Sequence, residues 1–300
     1  MYDLIIVGAG PAGITAGVYA ARKAMKFLVV SRNIGGQAAL SGNVENYTGY
    51  QFVTGPELAA KFEEHMKHFQ VELREGEAAA GIKRVDEIIE VKTDKGLYRS
   101  RTLIIASGRR PRLLDIPGEK EFKNRGVTYC ATCDGPVFAG RDVAVIGGGN
   151  SALDATLQLM KITDKIYLIN LTSELSGDPV MQGKVNQSGK VTVINGAQTR
   201  EIRGEKMVTG LVISREGKEE EISVQGIFIE IGSVPESDFV SGVEKNKRGE
   251  IIINNRNETN IPGIFAAGDV TDVPGKQIII AAGEGSKALL SAFEYLSREK

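Results

Sequence analysis

Short apolar runs followed by glycine clusters recur along this chain of 300 residues. Residues 3–7 (DLIIV) are apolar and β-branched without alternation, which is typical of a parallel strand buried on both faces. The cluster GAGPAG follows at 8–13, and apolar residues at helical spacing come after it. The same order returns at 142–152, where DVAVI precedes GGGNSA. The pattern therefore predicts two strand–glycine–helix units in an α/β chain.

Further apolar segments extend each of the two units. Residues 56–69 carry proline near their start and apolar residues on one face, which predicts an amphipathic helix. Residues 227–232 (IFIEIG) resemble residues 103–108 (LIIASG), as a duplication of the fold would require. The remaining predictions are strands at 27–31, 102–108, 165–170 and 264–268, and a final helix at 279–298.

Each glycine cluster has the spacing and the flanking elements of a dinucleotide-binding turn. The first glycine makes the turn, the second admits a pyrophosphate, and the third position lets helix and strand pack closely. Two such turns in one chain suggest an enzyme that holds both a flavin and a pyridine nucleotide. The two sets are Gly8, Gly10 and Gly13, and then Gly147, Gly149 and Ala152.

Charge and composition narrow the choice of partners. The 37 basic and 38 acidic residues give a net charge of −1, so nothing favours nucleic acid or an anionic membrane. The chain shows no basic leader pattern and no apolar run long enough to span a membrane. We therefore expect a soluble cytoplasmic protein, a compartment in which stable structural disulfides are rare.

The two cysteines, Cys130 and Cys133, lie in the segment CATCDG. Three interpretations compete: a buried structural pair, a zinc site completed by His65 and His68, and a redox-active disulfide. A cytosolic CxxC next to an acid and between two dinucleotide folds favours the redox interpretation. A helical HxxH on an amphipathic surface is usually just solvated, so we expect no metal.

Several stretches together resemble the low-molecular-weight thioredoxin reductases, which are FAD-dependent pyridine nucleotide-disulfide oxidoreductases. The final part also resembles the flavoprotein component of alkyl hydroperoxide reductase, which carries an additional N-terminal thioredoxin-like module. The matching stretches are IIVGAGPAG (5–13), GGQ (35–37), VENYTG (44–49), ASG (106–108), CATCDG (130–135), VIGGGNSA (145–152), AAGDV (266–270) and KQIIIAAGEG (276–285).

The resemblance implies two Rossmann-like domains with doubly wound sheets. Residues 1–110 with 250–300 would bind FAD, and residues 115–244 would bind NAD(P)H and carry the CxxC. Polar linkers at 109–118 and 243–250 would act as hinges for a rotation between two reaction states. A homodimer is also expected from the family.

The resemblance also implies a set of residues for each cofactor. Asp269 would bond a ribityl hydroxyl, Asn46 would lie beside the isoalloxazine ring, and Ser31 would replace the acid that often binds the FAD ribose. The implied FAD residues are Gly8, Gly10, Pro11, Ala12, Gly13, Ser31, Gly35, Gly36, Gln37, Asn46, Gly268, Asp269, Lys276, Gln277 and Ile278. The implied nucleotide residues are Gly147, Gly149, Asn150, Ser151, Ala152 and Asn170.

The resemblance also implies different roles for the two cysteines. Cys133 would receive electrons from the flavin, and Cys130 would attack the disulfide of thioredoxin or a thioredoxin-like protein. Asp134 would be the general acid–base that handles the proton of the departing thiolate. Two other functions stay open: a reductase that feeds a peroxidase partner, and a flavin-bound redox sensor.

Residues 169–178 (INLTSELSGD) depart from the pattern of the NADPH-dependent members, which carry an arginine-rich motif there. No basic residue stands in this stretch, and Glu174 and Asp178 add negative charge. Without charge-assisted contacts a 2′-phosphate would be weakly held, whereas Asn170 could bond a plain ribose diol. NADPH bound by other arginines, NADH, and a reduced deazaflavin or ferredoxin remain as possible donors.

Overall fold

A computed structural model describes residues 1–41 and 43–298 of the chain. The chain forms two compact units, Met1–Arg110 with Val234–Lys300, and Pro111–Ser233. In each unit, the main sheet contains parallel strands, and a glycine turn follows one of them. The predicted α/β class with two Rossmann-like units is confirmed.

A mixed sheet forms the frame of the first unit. Its strands, with a short separate pair, are β1 (Tyr2–Ala9), β2 (Phe27–Ile34), β3 (Asn43–Val44), β4 (Val53–Thr54), β5 (Leu73–Glu75), β6 (Ala79–Val85), β7 (Ile88–Thr93), β8 (Leu97–Ile105) and β19 (Ile264–Ala266). The helices are α1 (Pro11–Arg22), α2 (Gly36–Ala39), α3 (Gly55–His68) and α7 (Ile278–Arg298). The sheet has the order β5-β2-β1-β8-β7-β6, with β19 also paired to β8. Strand β1 pairs in parallel with β2 on one side and β8 on the other, so the first glycine turn lies mid-sheet.

Helices α1 and α7 pack together over one face of this sheet. Leu4 and Ile6 of β1 meet Ala288 and Leu289 of α7 in a single buried cluster. The opposite face is filled by the alternate residues of β1, such as Ile5, which explains why the strand is apolar throughout. The predicted amphipathic helix is confirmed as α3.

The start of α3 shows why the sequence specifies its position. Thr54 accepts a hydrogen bond from the backbone N–H of Glu57, and the Glu57 carboxylate accepts one from the Thr54 backbone N–H. Such a capping box satisfies two N–H groups that would otherwise lack partners.

The second unit combines a parallel sheet with a smaller antiparallel one. The strands are β10 (Val127–Thr128), β11 (Asp142–Ile146), β12 (Lys165–Asn170), β13 (Val191–Asn195), β14 (Ala197–Gly204), β15 (Val208–Arg215), β16 (Lys218–Ser223) and β17 (Gly226–Ile229). The helices are α4 (Ala131–Asp134), α5 (Asn150–Leu159) and α6 (Pro179–Asn186). The parallel sheet has the order β10-β17-β11-β12-β13, and the antiparallel sheet the order β14-β15-β16. Strand β11, which leads into the second glycine turn, pairs with β12 on one side and β17 on the other.

The chain crosses between the units at β9 (Arg109–Pro111) and β18 (Ser233–Pro235), which pair with each other. The first crossing lies within the predicted linker 109–118. The second lies about ten residues before the predicted linker 243–250, which belongs to the first unit. There Val243 and Glu250 are buried, so this polar stretch is a packed turn rather than a linker. That domain boundary was wrong, because polar sequence alone cannot tell a turn from a linker.

No helix within the described residues is long and apolar enough to cross a membrane.

Replacing Gly285 by alanine is expected to lower the free energy of unfolding by about 2 kcal/mol, because overpacking a closed contact costs that order. A Cβ atom at Gly285 would lie 2.0 Å from the Ala12 carbonyl oxygen, where α7 crosses α1. Chemical denaturation measures the change.

Gly283 supplies the matched control in the same helix. A Cβ atom there has nothing within 4 Å, so Gly283→Ala should gain up to about 1 kcal/mol from helix propensity. Equal unfolding free energies for the two variants would contradict the close packing of α7 on α1.

Candidate functional site: two dinucleotide turns and a redox disulfide

The first glycine turn is shaped by close backbone contacts. Gly8 has a positive φ of 108°, and a Cβ atom there would lie 2.2 Å from the Ala106 carbonyl oxygen. A Cβ atom at Gly13 would lie 1.8 Å from the Gly8 carbonyl oxygen, so only glycine fits. A Cβ atom at Gly10, which caps α1, would in contrast lie 3.9 Å from the nearest non-adjacent atom, the Gly36 Cα. Open space before the helix N-terminus is what a pyrophosphate requires.

A second pair of glycines packs against this turn. Gly35 and Gly36 both have positive φ, 85° and 54°. The Gly35 N–H donates to the Ala9 carbonyl at 2.8 Å, and a Cβ atom at Gly36 would lie 3.2 Å from the Gly10 Cα. The fold therefore brings two segments that are distant in sequence to one cradle.

Exposed amide side chains border the same cradle. The Asn46 amide nitrogen donates to the Gln277 side-chain oxygen at 3.0 Å, and the Gln37 amide nitrogen donates to the Arg109 carbonyl at 3.3 Å. Gln277 directly precedes Ile278, the first residue of α7. Three predicted flavin residues that are far apart in sequence thus belong to one neighbourhood of the first unit.

Asp269 lies in a short 3-10 helix, Gly268–Val270, beside the start of α1. A Cβ atom at the preceding glycine would lie 3.0 Å from the Ala12 side chain. Burial raises the pKa of Asp269, while the positive charges of Lys276 and Arg109 oppose that rise.

The same two basic residues flank the Glu250 carboxylate. Arg109 contacts it at 3.0 Å and Lys276 at 3.4 Å. Burial raises the pKa of Glu250, but the hydrogen bond from Asn246 and the charge of Lys276 outweigh it and lower the pKa overall. The carboxylate is therefore a charged anchor for the segment that leads into Gln277 and α7.

The Ser31 hydroxyl forms hydrogen bonds with two backbone groups of the protein. The hydroxyl accepts a hydrogen bond from the Ala9 backbone N–H at 3.0 Å and donates one to the Asn33 carbonyl at 2.6 Å. These contacts hold the end of β2 against the glycine turn. Contact between Ser31 and an FAD ribose stays a prediction.

The second glycine turn repeats the design of the first. Gly147 has φ of 141°, and a Cβ atom there would lie 2.2 Å from the Glu230 carbonyl oxygen. Ala152 is fully buried at the third position, while a Cβ atom at Gly149 would lie 3.9 Å from the nearest non-adjacent atom, the Ser176 hydroxyl oxygen. This turn also leaves room for a pyrophosphate before its helix, α5.

The loop after β12 closes over this turn. Gly148 accepts hydrogen bonds at its carbonyl from the Ser176 and Gly177 N–H groups, at 2.8 and 3.2 Å. The Asn150 side-chain oxygen accepts one from the Asp178 N–H at 2.7 Å. Ser151, next in α5, is exposed.

Asn170 is buried beneath that loop. Its amide nitrogen donates to the carbonyls of Thr172 and Glu174 at 3.0 and 2.8 Å, and to the Asn195 side chain at 3.0 Å. A Cβ atom at Gly148 would lie 2.2 Å from the Asn170 side-chain oxygen, which explains the middle glycine of GGG. The side chain thus supports the loop from inside, and its predicted contact with a ribose diol stays a prediction.

Cys130 and Cys133 form a disulfide with 5.4 Å between their Cα atoms. Cys130 caps α4, and its sulfur accepts a hydrogen bond from the Cys133 N–H at 3.0 Å. Cys133 is the more exposed of the two residues. The pair is therefore a disulfide at the start of a helical turn, and the division of work between its sulfurs stays a prediction.

The four residues named for the alternative zinc site do not meet within either unit. The disulfide removes both thiolates, and His65 and His68 lie in the other unit, where each contacts the Phe69 ring. In the described part of the chain, no group of three or more His, Cys, Asp or Glu side chains could hold a metal ion.

Asp134 ends α4 and is held by a residue before the cysteines. The Thr128 hydroxyl donates to the Asp134 carboxylate and accepts from the Cys130 backbone N–H at 3.2 Å. Thr128 is buried and pairs with Phe228 of β17. The acid next to the disulfide is thus fixed to the sheet.

Tyr129, between Thr128 and Cys130, is anchored by a fully buried carboxylate. Its hydroxyl donates to Glu119 at 2.8 Å, and Glu119 also accepts from the Leu114 and Asp115 N–H groups at 3.0 and 2.6 Å. Burial and the Glu119 charge raise the pKa of Tyr129. The hydroxyl therefore stays a neutral donor.

Glu230 follows β17 at the edge of the second glycine turn. Burial, aided by the nearby Asp154 carboxylate, raises the pKa of Glu230 to about 8. Asp154 has a raised pKa from its own burial, and it accepts a hydrogen bond from Gln158 at 2.8 Å. Gln158 in turn accepts from the Thr132 hydroxyl, inside the CxxC, at 2.8 Å.

Sequence reasoning missed the residues that support these sites. Thr128, Glu119 and Glu230 carry no motif, because their partners come from segments that sequence spacing does not reveal. Gly148 could have been found because it is the middle glycine of GGGN, a position at which the dinucleotide pattern does not demand glycine.

Two glycine turns of dinucleotide-binding shape and a disulfide beside a carboxylate define a class: the flavin- and nucleotide-dependent disulfide oxidoreductases. The chain matches the family described as pyridine nucleotide-disulphide oxidoreductase over residues 2–285. The chain belongs to this family, and membership implies FAD and a pyridine nucleotide as cofactors.

Two thioredoxin reductases of known structure are similar over their full length. The Lactococcus lactis enzyme is 36% identical, with 99% of this chain and 100% of that chain covered and a TM-score of 0.92. The T. acidophilum enzyme is 34% identical, with 100% and 99% covered and a TM-score of 0.90.

Among curated relatives, a Bacillus subtilis protein named NADH dehydrogenase is 42% identical over 301 residues. The F subunit of alkyl hydroperoxide reductase from Pseudomonas aeruginosa is 44% identical over 305 residues. Each match covers 99% of this chain, but the chain spans only 59% and 58% of the length of those relatives.

Replacing Glu230 by glutamine is expected to change how the stability of the second unit depends on pH. The unfolded carboxyl titrates near 4.5 and the folded one at about 8. Between these values the unfolded chain releases a proton that the folded unit keeps, so stability falls as pH rises. The variant should lack this fall and should gain about 2 kcal/mol at pH 8, less than a fully buried acid would give.

Thermal or urea unfolding at a series of pH values measures the effect. Glu219→Gln, at an exposed position on β16, is the control and should follow the original protein. Parallel pH profiles for the original protein and Glu230→Gln would contradict the neutral state of Glu230.

Proposed function

We propose that this chain is a disulfide reductase that passes electrons from NADH, through FAD and the Cys130–Cys133 disulfide, to thioredoxin or a thioredoxin-like protein. One observation carries the proposal: the disulfide begins α4, and Asp134 lies one turn later in the same short helix. A structural disulfide needs no neighbouring acid, whereas thiol–disulfide exchange needs a group that moves a proton.

The residues of the first unit fit FAD as its cofactor. The open space before α1 suits the pyrophosphate. Gly35, the N-cap of α2, and Gly36, its first residue, have no side chains and would let a flavin ring approach closely. Asp269, Asn46 and Gln277 supply polar groups around the same cradle. Bound FAD would accept a hydride from the reduced nucleotide and pass the electron pair on to the disulfide.

The second unit holds the nucleotide and the redox pair. The backbone around Gly149 and the start of α5 would hold the nucleotide pyrophosphate, with Asn150, Ser151 and Ala152 in its first turn. We assign the attack on the partner to Cys130 and electron uptake to Cys133, as the resemblance implies. Asp134 would carry the proton of the departing thiolate.

NADH is the donor that the loop 171–178 supports best. Its side chains include no cation, and Glu174 and Asp178 would repel a 2′-phosphate. A relative named NADH dehydrogenase, 42% identical, agrees with this choice. By analogy with the family, we also propose a cytoplasmic homodimer.

A peroxidase system is the second candidate for the electron acceptor. It is favoured by relatives named as the F subunit of alkyl hydroperoxide reductase, of whose length this chain spans about 58%. A thioredoxin-like carrier would then connect Cys130 to the peroxidase.

The purified protein should lose its flavin colour on anaerobic addition of NADH and regain it with oxidised thioredoxin. Cys130→Ser and Cys133→Ser should both keep reduction of the flavin by NADH but lose transfer to thioredoxin by at least a thousandfold, because either change removes the disulfide. Stopped-flow absorbance separates the two half-reactions.

Other outcomes of this experiment point to other functions. Bleaching only by a reduced deazaflavin or ferredoxin would replace the nucleotide as donor, and bleaching by no donor would favour a sensor. Reoxidation by a peroxidase with its thioredoxin-like carrier, but not by thioredoxin, would favour the second candidate.

Introducing arginines into the loop should change the donor preference. Leu171, Thr172 and Ser176 are exposed, so arginines fit there. The triple variant should bind NADPH at least ~10-fold more tightly relative to NADH, since one charge-assisted contact contributes about 1.5–3 kcal/mol. Equilibrium titration measures both affinities.

The matched control carries glutamines at the same three positions. It should leave the preference unchanged, because glutamine adds length without charge. If the arginine variant also leaves the preference unchanged, the 2′ position of the ribose lies elsewhere.

A further inference from the structure

We propose that Thr128 is a positioning residue for disulfide exchange, holding the Asp134 carboxylate so that it can protonate the departing thiolate of the substrate disulfide. The proposal rests on the proposed function, in which Asp134 is the proton carrier. It adds a residue that lies outside the CATCDG motif.

The hydrogen bonds of Thr128 connect the proton carrier to the nucleophile. A threonine hydroxyl has one proton to donate and two lone pairs that accept. Here the proton goes to the Asp134 carboxylate, and one lone pair receives the Cys130 backbone N–H at 3.2 Å. One side chain therefore links the acid to the cysteine implied to attack the partner.

The position of Thr128 is itself rigid. The residue is 6% exposed, and it pairs with Phe228 on β17, a fully buried strand. The ring of Phe228 packs edge-on against Phe138, four residues after the end of α4, with 5.4 Å between ring centroids. A hydroxyl on this strand is thus a fixed point, whereas Asp134 stands at the end of a four-residue helix.

The carboxylate needs such a fixed point because the reaction moves a proton twice. The enzyme dithiol and a substrate disulfide form one enzyme disulfide and two substrate thiols. Cys130 attacks one substrate sulfur, and the first thiolate leaves; Cys133 then attacks the Cys130 sulfur and releases the second. Each departing thiolate takes a proton that came from an enzyme thiol, and Asp134 relays it. The electron pair passes from the enzyme dithiol to the substrate, so atoms and electrons balance.

Two small disulfide substrates distinguish a loss of proton transfer from a change in the shape of the segment that carries the cysteines. The thiols of bis(2-hydroxyethyl) disulfide are basic and leave slowly without an acid, whereas the aromatic thiols of dithiobis(nitrobenzoate) are acidic and leave without help. The holoenzyme is reduced with a phosphine, freed of reductant, and mixed with each disulfide in a stopped-flow instrument. Neither the nucleotide donor nor the natural partner enters this measurement.

Thr128→Val keeps the shape of the side chain but removes its hydroxyl, and Thr128→Ser keeps the hydroxyl. We expect Thr128→Val and Asp134→Asn each to slow the reaction with the hydroxyethyl disulfide about tenfold or more, and the aromatic one less than twofold. Thr128→Ser should stay within about threefold for both. In the Asp134→Asn background, Thr128→Val should have no further effect, because both changes interrupt one interaction.

Three results would overturn the proposal. If Thr128→Val slowed the reactions with both disulfides equally, the residue would only support the structure of the segment that carries the cysteines. A normal rate for Thr128→Val beside a slow Asp134→Asn would leave Asp134 as acid without this support, and the proposed function would survive. Normal rates for Asp134→Asn would remove the acid role itself, and with it both this inference and that part of the proposed function.

Discussion

The close approach of a strand-end carbonyl to the first glycine of each dinucleotide turn is the constraint on which the rest of the structure depends. A Cβ atom at Gly8 or at Gly147 would lie 2.2 Å from such a carbonyl, of Ala106 or of Glu230. In each unit the carbonyl follows the strand that pairs with the one leading into the turn. This contact fixes where α1 and α5 begin, and hence where each pyrophosphate could lie.

The segments that pack against the glycine turn differ between the two units. In the first, Gly35 and Gly36 pack against the turn and leave an open cradle edged by amide side chains. In the second, the loop 171–178 lies over the turn and is held from inside by Asn170. The position of this loop is therefore set by one buried amide, and its exposed side chains include no cation.

The redox pair depends on contacts from outside its own motif. Cys130 and Cys133 lie at a helix of four residues, which has little stability of its own. Thr128 ties this helix to the sheet, and the buried Glu119 carboxylate holds Tyr129 immediately before it. In the proposed function, where this disulfide opens and closes in each cycle, these contacts would keep the neighbouring acid in place while the bond changes.

The sequence by itself determined the two strand–glycine–helix units, the helix α3 and the cysteine pair, because these follow from local periodicity, capping and spacing. Tertiary structure alone decided the second crossing between units, the antiparallel sheet β14-β15-β16, and the partners of Asn170 and Thr128. Those features depend on contacts between distant segments, and a polar residue has the same appearance in sequence whether it faces water or a buried carbonyl. Local sequence motifs therefore identify the candidate reactive residues. Which side chains position those residues is decided only by the tertiary contacts that form when the strands assemble.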